Sequence, residues 1–277
     1  MNKLELGANS IRQDIIRMLV EAKSGHPAGS LGMADIFTAL YFNIMRHNPS
    51  QPSWEDRDRL FLSNGHICPV LYASLAEAGY FSKEKLLTLR KLGSHLQGHP
   101  HRGALPGIEN SSGPLGQGVS MAVGTAIVGK REAKDWRVYT ALGDGELNEG
   151  QAWEAFMLAS KYKLDNLIAI IDRNNIQIDG TSDDVLPLEP LSEKFDSFGW
   201  NVVVVDGNNM NAILHGFDMA RSCQGKPSVI IANTVSGKGV SFMERKFGWH
   251  GKSPSKEEGE AALKELSEAR KKMEAGS

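Results

Sequence analysis

Two short apolar runs constrain this chain most. Arg137-Val138-Tyr139-Thr140-Ala141-Leu142 and Leu167-Ile168-Ala169-Ile170-Ile171-Asp172 are rich in β-branched and apolar residues and run straight into polar loops. Strands buried on both faces of a parallel sheet have this composition. Between them, Asn148 to Lys163 places Trp153, Phe156, Met157, Ala159 and Ser160 at helical spacing, so the segment reads as a β-α-β unit.

The same alternation extends along the chain. Leu4 to Lys23 carries an apolar stripe and stops at Ser24-Gly25, as an amphipathic helix does. Met33 to Met45 repeats the pattern, and a helix is predicted from about Ile67 to Ala78, with Pro69 in its first turn. Gly118 to Lys134 reads as a small-residue helix, and Met210 to Ser222 as another. Further strands are predicted at Arg59 to Leu62, Trp200 to Val205 and Ser228 to Asn233. Strands alternating with helices imply an α/β fold, three layers α/β/α around a mostly parallel sheet. At 277 residues and 41% hydrophobic, the whole chain (residues 1–277) is expected to form a single large domain. A charged helix at about 255–275, with only Leu263, Leu266 and Met273 as an apolar stripe, reads as a solvated surface helix, a partner-facing helix being the other reading.

The chemistry is expected where the two central strands end. Gly143-Asp144-Gly145-Glu146 follows the first, and Asn174-Asn175 follows the second. Parallel pairing would put Asp144 and Asn174 at neighbouring carboxyl ends, where open α/β sheets bind ligands. The glycines allow close approach and expose N–H groups to phosphate oxygens. Magnesium takes a few hard protein oxygens together with phosphates and water, and Asp144, the Asn174 side chain and a nearby backbone carbonyl would suffice. Gly-Asp-Gly taken alone is a turn; the strand before it, the helix after it and the Asn pair in step favour a metal-diphosphate site.

Histidine placement is the second signal. Of eight histidines, His26, His66, His99 and His250 sit beside glycine or proline in loops, where side chains serve ligands. Their spacings are too wide for a zinc pattern. Neutral imidazole suits sugar hydroxyls and proton transfer near pH 7. His47, His95 and His215 have no such context, and each reads as structural.

At these residues the chain resembles the thiamin-diphosphate enzymes, and within them the transketolases. Gly143-Asp144-Gly145 through Asn174 is similar to the cofactor motif, and Glu146-Leu147-Asn148-Glu149-Gly150-Gln151 to its transketolase continuation. Ser24-Gly25-His26-Pro27, Ser63-Asn64-Gly65-His66, Gly98-His99-Pro100, Gly113-Pro114-Leu115-Gly116-Gln117-Gly118, Asp172-Arg173-Asn174-Asn175-Ile176, Gly237-Lys238-Gly239 and His250-Gly251 follow in the same order. The likeness spans residues 5–252.

That resemblance implies a thiamin-diphosphate-binding fold of the diphosphate-binding (PP) type. It implies thiamin diphosphate and Mg2+, or Ca2+ or Mn2+ in its place, with Asp144, Asn174 and the Ile176 carbonyl on the metal. His66, Gly113, Leu115, Gly143, Asp144, Gly145, Glu146, Asn174, Ile176 and His250 would hold the cofactor. Leu115 and Ile176 would meet the thiazolium ring, or simply fill the core. His26 and His99 would contact donor-sugar hydroxyls, while His66 and His250 lie near the reacting carbon. Glu149 and Glu154 would join a carboxylate chain between subunits; a solvated helix start is their other reading.

A one-chain transketolase continues into pyrimidine-binding and C-terminal domains. The expectation is therefore the N-terminal subunit of a split transketolase, acting on sugar phosphates with a second subunit, most simply as α2β2. Alternatives are a subunit like deoxyxylulose-phosphate synthase or a 2-oxoacid dehydrogenase, or a non-catalytic scaffold. A net charge of −2 leaves no basic excess for a nucleic-acid backbone, and no stretch approaches membrane-spanning length. Two distant cysteines, Cys68 and Cys223, suggest neither a disulfide framework nor a zinc site. A cytoplasmic protein is expected.

Overall fold

The computed structural model describes residues 2–275. The helix α1 (Asn2–Ala22), the short helices α2 (Pro27–Gly32) and α3 (Ala34–Ala39), and a π-turn at Leu40–Ile44 lead into β1 (Arg59–Leu62) and α4 (Cys68–Glu77). After a long loop come α5 (Gln117–Arg131), β2 (Val138–Gly143), α6 (Gly150–Lys161) and β3 (Leu167–Arg173). The short helices α7 (Ser182–Val185) and α8 (Leu191–Ser197) precede β4 (Asn201–Asp206), α9 (Met210–Ser222), β5 (Ser228–Asn233) and α10 (Lys256–Ala275). The strands form one five-stranded sheet in the order β1-β2-β3-β5-β4, and every pairing is parallel.

The sheet separates two apolar cores, so the three-layer expectation holds. Along β3, Ile168 and Ile170 face the core built with α1, α3, α4 and α9. Leu167, Ala169 and Ile171 face the core built with α5, α6 and α8. Burial on both faces explains why β2 and β3 read as continuous apolar runs. The edge strand β4 is different: Val203 and Val205 are buried, whereas Val204 is 54% exposed. Trp200 lies before that strand, not in it, and its indole N–H donates to the Phe156 carbonyl at 3.0 Å.

Two predicted helices are interrupted. Met33 to Met45 is α3 followed by the π-turn. The helix predicted from Asn148 begins at Gly150, after a 3-10 turn at Gly145–Asn148 and an extended Glu149. The C-terminal helix occupies Lys256–Ala275 and has one seated face. It packs on α1, burying Gly259, Ala262 and Leu266, because Asn9 Nδ2 and the Leu266 carbonyl (3.0 Å) and Arg270 and Ser10 (2.7 Å) pair the two helices. Its charged face is the solvated one. Among the described residues, no helix is long and apolar enough to cross a membrane.

Candidate functional site

The register Gly143↔Asp172 in the β2–β3 pair brings the two predicted turns side by side. Asp144 is 1% exposed. Its Oδ1 accepts from the Gly145 N–H at 2.7 Å, and its Oδ2 accepts from the Asn175 N–H at 2.7 Å and from Arg173 Nη1 at 3.0 Å. Burial raises its pKa, partly offset by these donors. Asn174 Nδ2 donates to Asp172 Oδ2 at 2.7 Å, while Asn174 Oδ1 accepts from the Ile176 N–H at 3.0 Å. Asp172 is fully enclosed between Asn174 and the Thr234 hydroxyl. Burial pushes its pKa up to about 7.

Loops from three other elements close the site. His26 ends the turn before α2, His66 sits on a 3-10 turn after β1, and His250 follows a 3-10 turn at Phe247–Trp249. Their ring centroids are 5.1–5.6 Å apart. Gly113 adopts φ 147°, a conformation that side chains rarely take, and its backbone lies beside the His99 ring. Burial lowers the pKa of all four histidines, that of His26 to about 4. Neighbouring imidazoles add to the effect at His26 and His66, and the Arg90 guanidinium adds to it at His26 and His99, so all four are neutral near pH 7.

Glu146, expected among the cofactor ligands, uses its carboxylate to tie the walls together. Oε1 accepts from Ser63 Oγ at 2.5 Å and the Gly116 N–H at 2.7 Å, and Oε2 from the Gly143 N–H at 3.1 Å. One buried side chain thus joins the ends of β1 and β2 to the Gly-Pro-Leu-Gly loop. Gln151 Nε2 donates to the Leu115 carbonyl at 2.8 Å and holds the same loop from α6.

These loops enclose a cleft of ≈ 330 Å³. It is lined by His26, His66, His99, His250, Gly113, Leu115, Gly143, Asp144, Gly145, Glu146, Asn174 and Ile176, every predicted site residue but two. Glu149 and Glu154 are exposed on α6 and its entry turn, outside the cleft. Asn64, Asp172, Gln177, Ile178 and Asp179 also line it, and sequence reasoning did not single them out. Asn64 and Asp172 stand inside quoted motifs, which was their only signal; residues 177–179 carried none. A larger groove of ≈ 990 Å³ beside Val20 and Lys252–Glu258 is an open surface feature, whose Lys252 and Glu258 pair at 3.0 Å.

The cleft fits a diphosphate and a hard metal ion. Buried polar atoms without a protein partner gather there: His26 Nδ1, both amide atoms of Asn64, and Gln177 Nε2. Such atoms need partners, and a polar ligand supplies them. Among the described residues there is no group of three His, Cys, Asp or Glu side chains able to hold a metal. A metal here would take oxygens from Asp144, Asn174 and a backbone carbonyl, a donor set of the kind magnesium prefers.

Residues 5–272 match the family described as "Transketolase, thiamine diphosphate binding domain". The chain is 42% identical over 271 residues to the A subunit of the apulose-4-phosphate transketolase of Phocaeicola vulgatus, covering 98% of this chain and 96% of that one. It is 44% identical over 263 residues to "6-deoxy-6-sulfo-D-fructose transketolase subunit SqwG" of a Clostridium species, covering 95% and 96%. The solved transketolase from Campylobacter jejuni superposes with a TM-score of 0.90 at 36% identity, over 98% of this chain and 43% of that one.

Proposed function

This chain belongs to the transketolase family, as its thiamin-diphosphate-binding N-terminal part, and we propose that it is one subunit of an enzyme that transfers a two-carbon ketol unit. The donor is a ketose phosphate and the acceptor an aldose phosphate. The observation that carries this reading is the meeting of Asp144, Asn174 and four neutral histidines in one cleft. The named relatives act on apulose 4-phosphate and on 6-deoxy-6-sulfo-D-fructose, so the donor here is a ketose with an anionic end, xylulose 5-phosphate being one candidate.

Thiamin diphosphate supplies, when bound, a carbon nucleophile and an electron sink for breaking the bond next to a ketose carbonyl. Asp144, the Asn174 side chain and the Ile176 carbonyl would hold magnesium, and Gly145 presents its backbone to the diphosphate. Leu115 and Ile176, which line the cleft, would offer apolar contact to the thiazolium ring. His66 and His250, neutral at pH 7, can accept or return a proton at a ring nitrogen. His26 and His99 hydrogen-bond sugar hydroxyls as donors and acceptors at once. Glu149 and Glu154 face outward, toward a partner surface.

The pyrimidine end of the cofactor and the phosphate end of the sugar are assigned to a second subunit, in an α2β2 assembly. Relatives of nearly the same length that are named as the A subunits of transketolases support that division. Calorimetry of the chain with magnesium and thiamin diphosphate, and ketol-transfer assays with and without a co-expressed partner, test the proposal. Binding without activity is expected from the single chain, and activity from the pair. Ketol transfer by the single chain would refute the division of labour, and the absence of magnesium-supported binding would refute the cofactor site.

A further inference from the structure

Asn64 follows β1, and its backbone is fully engaged: the N–H donates to the Ala141 carbonyl at 3.4 Å, and the carbonyl accepts from Ile67 at 3.0 Å. Its side chain has no such role. The residue is 1% exposed, yet both Oδ1 and Nδ2 lack a protein partner. A carboxamide buried in that way destabilises the chain that carries it, and Asn64 opens on the cleft. The turn opposite leaves it room. A Cβ on Gly143 would stand 3.9 Å from both Cβ and Nδ2 of Asn64, so the amide lies beside the turn that carries Asp144, and both line the cleft.

The surroundings specify what the amide meets. Asp144, Asp172 and Glu146 crowd this floor with carboxylates, while Arg173, bonded to Asp144, is also engaged by Asp183 at 2.7 Å. An anionic ligand arriving here is repelled by those carboxylates, so beside a metal ion every hydrogen-bond donor left free to face it contributes. His66, two residues on along the same turn, is neutral at pH 7 through burial.

We propose that Asn64 is a further cofactor-binding residue, its Nδ2 donating to a diphosphate oxygen and its Oδ1 accepting from a water of the metal's hydration shell. The proposal rests on the thiamin-diphosphate reading of the cleft. It assigns the unpartnered amide a ligand at both ends and explains why the position carries neither an apolar side chain nor a carboxylate.

The test uses the full chain with two probes, magnesium pyrophosphate and magnesium thiamin diphosphate, titrated by calorimetry to millimolar concentration, with melting recorded in their absence. Asn64→Leu, of similar size without polar atoms, is expected to lose about tenfold in affinity for both probes, as one hydrogen-bonding group is removed from a charged ligand. Its ligand-free melting temperature is expected to equal or exceed that of the wild type. Asn64→Asp is expected to bind more weakly than Asn64→Leu, because it adds a carboxylate facing phosphate. Wild-type affinity in Asn64→Leu overturns the proposal. Where that variant melts low, Asn64→Ala takes its place, and undiminished binding there also overturns it. A wild-type chain that binds neither probe refutes the cofactor reading itself.

Discussion

Nδ2 of Asn174 donates to Oδ2 of Asp172 at 2.7 Å, so a buried carboxylate fixes which atom of the carboxamide remains for a ligand. Oδ1 of Asn174 is turned to the other side, where the Ile176 N–H takes one lone pair. Supporting residues of this kind set the orientation of ligands to a metal. Asp172 is itself held by the Thr234 hydroxyl of the loop after β5, which ties the ends of β3 and β5 into one frame.

Replacing Asp172 therefore acts through Asn174. Asp172→Ala frees the amide to rotate, and magnesium-supported binding of thiamin diphosphate is expected to fall ten- to hundredfold, roughly the range for lost supporting contacts at metal sites. Calorimetric titration measures it. An unchanged magnesium requirement and affinity would show that Asn174 orients itself without this partner.

Glu146 supports a different prediction. Its two oxygens accept from Ser63, Gly116 and Gly143, and a glutamine would turn an amide N–H toward one of those donors. Glu146→Gln is expected to lower stability by about 1–3 kcal/mol, the cost of leaving a buried donor unsatisfied. Urea unfolding reads that loss. Cofactor affinity should fall with it, since the same carboxylate positions the loop bearing Leu115.

The docking of α10 on α1 can be broken at one residue. A Cβ on Gly259 would stand 2.3 Å from Cγ2 of Val20, so glycine is required there by contact and not by backbone conformation. Gly259→Val is expected to cost about 1–3 kcal/mol through overpacking, seen as a lowered melting temperature. Neither Gly259 nor Val20 lines the cleft, so affinity for thiamin diphosphate at temperatures below the transition should not change.

Much of this was legible in the sequence, for identifiable reasons. Strands β2 and β3 are buried on both faces, which leaves a continuous apolar run, and glycine and asparagine mark the points where they stop. The positions of Asp144, Asn174 and the four histidines followed from those stops and from the transketolase resemblance. The seating of α10 was hidden because a glycine and an alanine provide much of its contact, and neither contributes to an apolar stripe. Asp172 was passed over, and the bracing contacts of Glu146 were not foreseen, because their partners come from distant loops: Thr234 lies 62 residues away and Ser63 lies 83 residues away. Side-chain networks between strand ends leave no periodic trace.

The histidine cluster predicts how stability changes with pH. Burial lowers the pKa of His26 to about 4 and that of His66 and His250 below the ordinary value of 6.5. Below pH 6.5 the unfolded chain therefore binds protons that the folded chain refuses, and folding stability falls as the pH drops toward 4. For His26 the full effect is at most about 3 kcal/mol, at about 1.4 kcal/mol for each tenfold loss of proton affinity, reduced because the ring is partly exposed. Asp172 works in the opposite sense: its raised pKa of about 7 makes the folded chain the one that holds the proton between about pH 4 and 7, so this group favours folding toward acid. The two effects separate by substitution. Urea unfolding at pH 7.5 and pH 5.0 should show a smaller acid loss in His26→Gln than in the wild type, since Asp172 is common to both. Asp172→Asn should show a larger loss. Equal losses in all three proteins would mean that these groups do not titrate differently in the folded and unfolded chain.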